Sequence, residues 1–338
     1  MTVSAPSSSG PRGRVAARGR SARATLVVLL AAAPLVGAAF AQRVPEGVTE
    51  YALPGDAVFP EGIAVHEPSG TFFVSGAGSG GIYRVDLATG EATEFVAAGT
   101  RPQFTTIGLD LDDQGRLWVA GGGSGEVLVF DVESGERVAT FTTPQAPVLL
   151  LNDVVVTDAG AYVTDSNRPT LWFVPLDAVA SGGGEAQAWL DFTGTAFEYG
   201  EGFNANGIVA NEDGSVLLVV ATGTGALYRV DVATREVAQV DTGGVAFEGG
   251  DGMVLDGTTL YVVQNGADRV AVVQLSDDLT SGELTGYIED ERLSNAATAA
   301  LVGGDLLIVN AQFDAMQGTP TLPFTVTVVP TAQGGAGP

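Results

Sequence analysis

A short segment that returns six times constrains this chain more than any other feature. "EGIAV" from Glu61, "IGLDL" from Ile107, "NDVVV" from Asn152, "NGIVA" from Asn206, "DGMVL" from Asp251 and "NAATA" from Asn295 each set a polar or small pair before alternating apolar residues, at intervals of 46, 45, 54, 45 and 44 residues. After each comes a turn ("EPSG", "DDQG", "TDAG", "NEDG", "LDG", "VGG") and then a β-branched run such as "TFFVS", "RLWVA" or "SVLLVV". A third and a fourth strand complete most units, as in "GGIYRVDLATGEATEFV". Repeats of about 45 residues with four strands each are the signature of propeller blades. No segment sustains a helical period, so the expectation is an all-β, six-bladed β-propeller of four-stranded blades.

The two ends of the repeat array fit each other. "TEYAL" near residue 50 is a strand without a blade, and the sixth unit has only three strands, ending in "PFTVTVVP". Pairing them would close the ring and leave no exposed edge. The chain has no cysteine, so the fold must be held by a large core, a metal or both, and ring closure could substitute for disulfides.

The first 41 residues read as a secretory signal. Five arginines and no acid precede "LVVLLAAAPLVGAAF", and Ala39-Phe40-Ala41 offers small residues for cleavage. The apolar run is too short for a convincing membrane span, so residues 42–338 form one exported propeller domain with no span of its own. The leader takes five of the 15 arginines, leaving ten against 40 acids and a net charge of −30. Such a surface repels phosphate backbones and anionic lipid, which disfavours nucleic-acid and membrane partners; a secreted monomer in the periplasm or outside the cell is the expected state.

In a propeller the first strand of each blade lines the central channel, and its opening residue stands at one rim. Glu61, Ile107, Asn152, Asn206, Asp251 and, in weaker alignment, Asn295 would converge there. The fourth-to-first and second-to-third connections open on the same face, and the long ones, 143–151, 192–205 and 311–323, would wall an apolar pocket. Phe203, Asn265 and Phe313 are the expected pocket side chains. Carboxylates and carboxamides pointing at one spot form a hard-oxygen cage. Ca²⁺ suits it best, with Mg²⁺, Mn²⁺ and Zn²⁺ as further candidates.

Three other signals lose their sharper meaning in context. "GAGSGG" at 76–81 fits a dinucleotide motif but joins two strands with no helix after it. "LDLDDQG" at 109–115 lacks the closing Glu of a calcium loop and sits where other units place a turn. His66, the single histidine, falls at the far end of its strand from the rim, which disfavours a histidine-based triad.

In their order and spacing, "EGIAV", "LND", "NGIVANEDGSVLLVV" and "GGDGMVLDGTTLYVV" resemble the gluconolactonase, regucalcin and senescence-marker-protein family of six-bladed propellers. The resemblance covers nearly all of residues 42–338. It implies a divalent cation on the axis held by Glu61, Asn206 and Asp251, with Asn152 beside the substrate or its attacking water. It further implies a metal-dependent lactonase or esterase, the cation polarising the carbonyl and Asp251 serving as general base. Sugar-lactonase members carry an arginine shortly before the third-unit Asn-Asp and a glycine after it. Here Leu150, Leu151 and Val154 stand in those places, which shifts the expected substrate from a sugar lactone to a more apolar lactone or ester. The alternative is a non-catalytic ligand- or protein-binding propeller with a structural cation.

Overall fold

Buried strands with two apolar faces dictate the architecture. In the computed structural model, which describes residues 43–332 and, apart from these, Gly10, the second strand of every blade is almost wholly apolar and buried on both sides. Successive side chains of a strand point to opposite faces. Phe72 therefore packs towards blade six and Phe73 towards blade two, while Leu217 faces blade three and Leu218 faces blade five. The result is six separate cores, one between each pair of neighbouring blades. The proposed signal segment lies outside the described residues.

The blades begin with Pro60–His66, Leu109–Leu111, Leu151–Thr157, Ala205–Ala210, Gly250–Asp256 and Ala296–Val302. Each of these strands pairs antiparallel with the next strand in sequence and touches the first strands of both neighbouring blades, so the six form a closed circuit. The expected closure is present. Glu50–Leu53 pairs antiparallel with Phe324–Pro330 and supplies the fourth strand of blade six, with Tyr51 opposite Val326. Tyr51 then donates its hydroxyl to Leu87 O of blade one, which ties the seam.

One blade departs from the four-stranded plan. The insertion between the third and fourth strands of blade three sends Gly183–Glu185 back to pair in parallel with Arg137–Thr142, giving blade two a fifth strand. An otherwise open outer edge is thereby covered.

The opening of the first strands carries a second device. Five of the six have a register break, at Pro60/Ile63, Leu151/Val154, Ala205/Ile208, Gly250/Met253 and Ala296/Ala299. Each break leaves two residues outside the ladder, the geometry of a bulge that re-aims a side chain. In blades one, four and five these pairs are Glu61-Gly62, Asn206-Gly207 and Asp251-Gly252; in blade three the pair is Asn152-Asp153. The second residue faces the next blade so closely that a Cβ on Gly207 would lie 2.1 Å from Asp251 O, and one on Gly62 2.3 Å from Ile107 O. Glycine at these positions is a packing requirement.

The same register corrects one expectation. In blade six the two bulged residues are Ala297 and Thr298, so the rim position belongs to Ala297 and Asn295 lies two residues before it, with a left-handed φ of 47°. The run of small residues after Asn295 imitates the motif, but strand pairing places the bulge later.

Candidate metal and substrate site

Four rim side chains converge at the floor of a cavity of about 390 Å³ on the expected face: Glu61, Asn152, Asn206 and Asp251. All four are buried. Phe203, Asn265 and Phe313 line the same cavity, so these four rim residues and three pocket residues come together, while Asn295 is not in the lining. Ile107 completes the floor in blade two. His66 is remote from it, at the far end of its strand, with Nδ1 2.7 Å from Ser69 Oγ.

The second strands hold the rim side chains in place. Asn152 Nδ2 donates to Ser166 Oγ at 2.9 Å, and that hydroxyl donates onward to Ala205 O at 2.7 Å. Asn206 Nδ2 donates to Thr222 Oγ1 at 2.8 Å, and Thr222 donates to Gly250 O at 2.8 Å. Because each hydroxyl has given its hydrogen to a carbonyl, it can only accept from the amide. Each carboxamide must therefore turn its NH₂ to the hydroxyl and keep its oxygen for the cavity side. In blade five Asn265 takes the equivalent place: its Nδ2 lies 3.3 Å from Asp251 Oδ2 and also reaches Asn295 O and Ala296 O. Each relay joins a rim side chain to the backbone of the next blade. Ser166 and Thr222 escaped the sequence argument, although a polar residue directly after the second strand, in "YVTDS", "VVAT" and "VVQN", is its visible trace.

Two oxygens at the floor are orphans. Glu61 Oε2 and Asn152 Oδ1 are buried and have no hydrogen-bond partner among the described residues. An unpaired buried acceptor costs about 1–3 kcal/mol, more when charged. Electrostatics point the same way. Burial, followed by the charges of Asp251 and Asp153, pushes the Glu61 carboxyl well above the ordinary carboxylate range. Burial and the charge of Asp153 push Asp251 up to about 8, against the lowering contacts of Asn206 and Asn265. Left to itself the cage would hold protons.

No three His, Cys, Asp or Glu side chains gather as a metal cluster among the described residues. The donor set is instead two carboxylates and two carboxamides. All-oxygen donors with two orphaned atoms suit a hard cation such as Ca²⁺, and the absence of nitrogen and sulfur makes Zn²⁺ a poorer match.

Above the floor the walls turn apolar. Leu150 lines the cavity from the loop before the third blade, and no basic residue is in the lining. Phe104 and Met316 are wall residues not foreseen from sequence. Phe104 lies in the 97–108 connection between blades one and two, and its ring centroid is 6.4 Å from that of Phe313 across the mouth.

No protein-family model matches the chain, and no curated protein is significantly similar to it. Solved structures with a similar fold include the calcium-binding protein regucalcin from Agrobacterium tumefaciens (TM-score 0.58, 18% identity, 83% of this chain and 94% of that one). A putative gluconolactonase aligns with TM-score 0.58 at 15% identity over 86% of this chain and 94% of its own. Virginiamycin B lyase from Staphylococcus aureus aligns with TM-score 0.56 at 16% identity over 77% and 80%. At these identities the likeness is one of fold, and regucalcin and gluconolactonase are the proteins whose motif order the sequence resembles.

Proposed function

We propose that the chain is an exported, metal-dependent hydrolase of a rather apolar lactone or ester, with a divalent cation, Ca²⁺ first, in the axial cage. The observation that carries this reading is the pair of orphaned oxygens, Glu61 Oε2 and Asn152 Oδ1, at a floor they share with the oxygen-bearing side chains of Asn206 and Asp251. Glu61, Asn206, Asp251 and Asn152 would hold the cation. When bound, it supplies positive charge that polarises a carbonyl and acidifies water nearby.

The chain's own residues do the rest. Asp251, raised by burial and by the charge of Asp153, would stay ionised near neutral pH once a cation beside it offsets both. Asp251 then takes a proton from the attacking water as the new C–O bond forms. The acyl C–O bond breaks, and the same proton passes to the leaving alkoxide. Asn265 orients the Asp251 carboxylate through Oδ2, and the apolar walls lower the local dielectric, which strengthens the charge interactions at the floor.

A histidine-dependent elimination finds no support. A histidine-to-alanine variant of virginiamycin B lyase is catalytically inactive, whereas the single histidine here, His66, lies away from the cavity.

The test is a lactone and ester panel assayed with Ca²⁺ and with a chelator, alongside melting curves in both. The proposal expects Ca²⁺ to raise the melting temperature and to switch on turnover. A rise in melting temperature with no turnover across the panel would instead identify a binding propeller with a structural cation.

A further inference from the structure

The hydrolase reading leaves open what kind of molecule reaches the cage, and the surface around the cavity mouth narrows it. Five large hydrophobic side chains are exposed among the described residues: Phe104, Val138, Val148, Phe203 and Leu322. Four of them stand on connections of the pocket face, in segments 97–108, 143–150, 192–204 and 311–323. Phe203 is 54% exposed and Val148 64%, values that a buried-core role does not explain. Isolated exposed hydrophobics are ordinary, but Phe104 and Phe203 line the cavity itself, and apolar side chains exposed together at one mouth mark a binding surface.

The rings at the mouth are held out by fixed local structure. Phe104 has a left-handed backbone (φ 57°), locked by Phe104 N donating to Ala77 O at 2.7 Å and by Phe104 O accepting from Gly123 N at 3.0 Å. A non-glycine residue there is strained, and the two hydrogen bonds hold it. Phe203 precedes the buried Asn204, whose side chain accepts from Gly200 N and donates to Gly202 O and Ser166 O, folding the loop so that Phe203 stays outside. Phe313 follows Gln312, also left-handed (φ 53°), and donates its N–H to Asn295 Oδ1 at 3.0 Å. Three apolar rings displayed by three separate, ordered loops are preorganised for an apolar ligand.

Charge sets the other limit. No basic residue lines the cavity, and a divalent cation at its floor would already be balanced by the Glu61 and Asp251 carboxylates, so an anionic ligand finds no surplus counter-charge. Thr222 and Asn265, the polar side chains above the rim, already serve the relays, which leaves no grip for the hydroxyls of a sugar. A cavity of about 390 Å³ lies near the lower end of ligand pockets, enough for a lactone ring and a short segment beyond it.

Resting on the hydrolase reading, we propose that the ligand is a neutral amphiphile, a lactone or ester with a long apolar tail, whose polar end sits at the axial cage and whose tail leaves the cavity over Phe104, Phe203 and Phe313. Each methylene moved from water onto this surface contributes about 0.8 kcal/mol when fully buried, close to fourfold in kcat/KM.

The experiment compares γ-butyrolactone with γ-decalactone and γ-dodecalactone on the Ca²⁺-loaded full-length protein. It is paired with calorimetric binding of two non-hydrolysable ketones, cyclopentanone and 2-decylcyclopentanone. The expected result is a kcat/KM at least 100-fold higher for the long lactones, and a long-to-short ratio that falls at least tenfold in Phe104→Ala and Phe203→Ala. The decyl ketone is expected to bind at least tenfold tighter than the parent, with that preference reduced in the same variants. Turnover that is flat or falling with chain length would overturn the inference while leaving the hydrolase reading intact. Absence of turnover with the ketone preference retained would overturn the hydrolase reading and leave the ligand class standing. Equal binding of the two ketones would overturn the ligand class whatever the turnover.

Discussion

Two pairs of acidic side chains stand beside the same channel, and they differ in what surrounds them. Asp110 and Asp153 lie on the first strands of blades two and three, and each spans to the next blade. Asp110 accepts from Val156 N at 2.7 Å and from its neighbour Leu111 N at 2.8 Å; Asp153 accepts from Ile208 N at 3.0 Å and Val154 N at 2.9 Å. Burial pushes both upward, to about 6 and about 7. Glu61 and Asp251 are raised for the same primary reason, yet Glu61 Oε2 has no partner among the described residues and Asp251 meets only the rim amides of Asn206 and Asn265, the latter at a long 3.3 Å, with no backbone N–H. A raised carboxyl alone therefore does not mark a site in this molecule. What separates the pairs is hydrogen bonding: the first pair staples blades together, and the second is left with capacity for something that is not protein.

The contrast can be broken or sharpened by substitution. Asp251→Asn keeps the shape but removes the base, and should lower kcat by about 10²-fold or more; lactone hydrolysis at the unmutated rate would remove Asp251 from the chemistry. Thr222→Val deletes the hydroxyl that orients Asn206 and should weaken Ca²⁺ binding roughly 10- to 100-fold by calorimetry, as loss of an outer-shell partner does. Asp110→Ala, on the satisfied side, should leave Ca²⁺ affinity and turnover of the folded protein unchanged. It should cost about 1–3 kcal/mol in denaturant unfolding, because Val156 N–H loses its acceptor.

The smallest effect is in pH dependence. Asp251 and Glu61 bind a proton more tightly in the folded state than in the unfolded chain, so their contribution to metal-free stability is full below the ordinary carboxylate pKa of about 4 and is lost above it. Stability then declines as pH rises through the folded value of about 8 for Asp251. Melting temperatures in chelator should fall between pH 5 and 8, and Ca²⁺ should flatten that slope.

How much of this was legible in the sequence depends on the length scale. Six units at even spacing fix the blade number, and the unmatched "TEYAL" strand signals the closure that the Glu50–Leu53 pairing makes. The rim residues of blades one, three, four and five follow from the same phase, because a polar residue before an alternating strand is the bulge that strand pairing then produces. Blade six misleads because "NAATA" satisfies the pattern two residues early, and only the pairing of Ala296 with Asn310 and Ala299 with Ile308 sets the phase. The relays through Ser166 and Thr222 join residues 14 and 16 positions apart and then the neighbouring blade, contacts that no local pattern contains. Phe104 was missed for a related reason. Its place at the mouth depends on a left-handed backbone held by loops of two blades, whereas a lone phenylalanine among "RPQFTT" carries no such mark.

The central claim is that the axial oxygens are a cation site, and an anomalous difference map from crystals grown with Ca²⁺ tests it most directly. The account predicts one strong peak about 2.3–2.6 Å from side-chain oxygens of Glu61, Asn152, Asn206 and Asp251. A metal-replete crystal with no peak between those four side chains would contradict it.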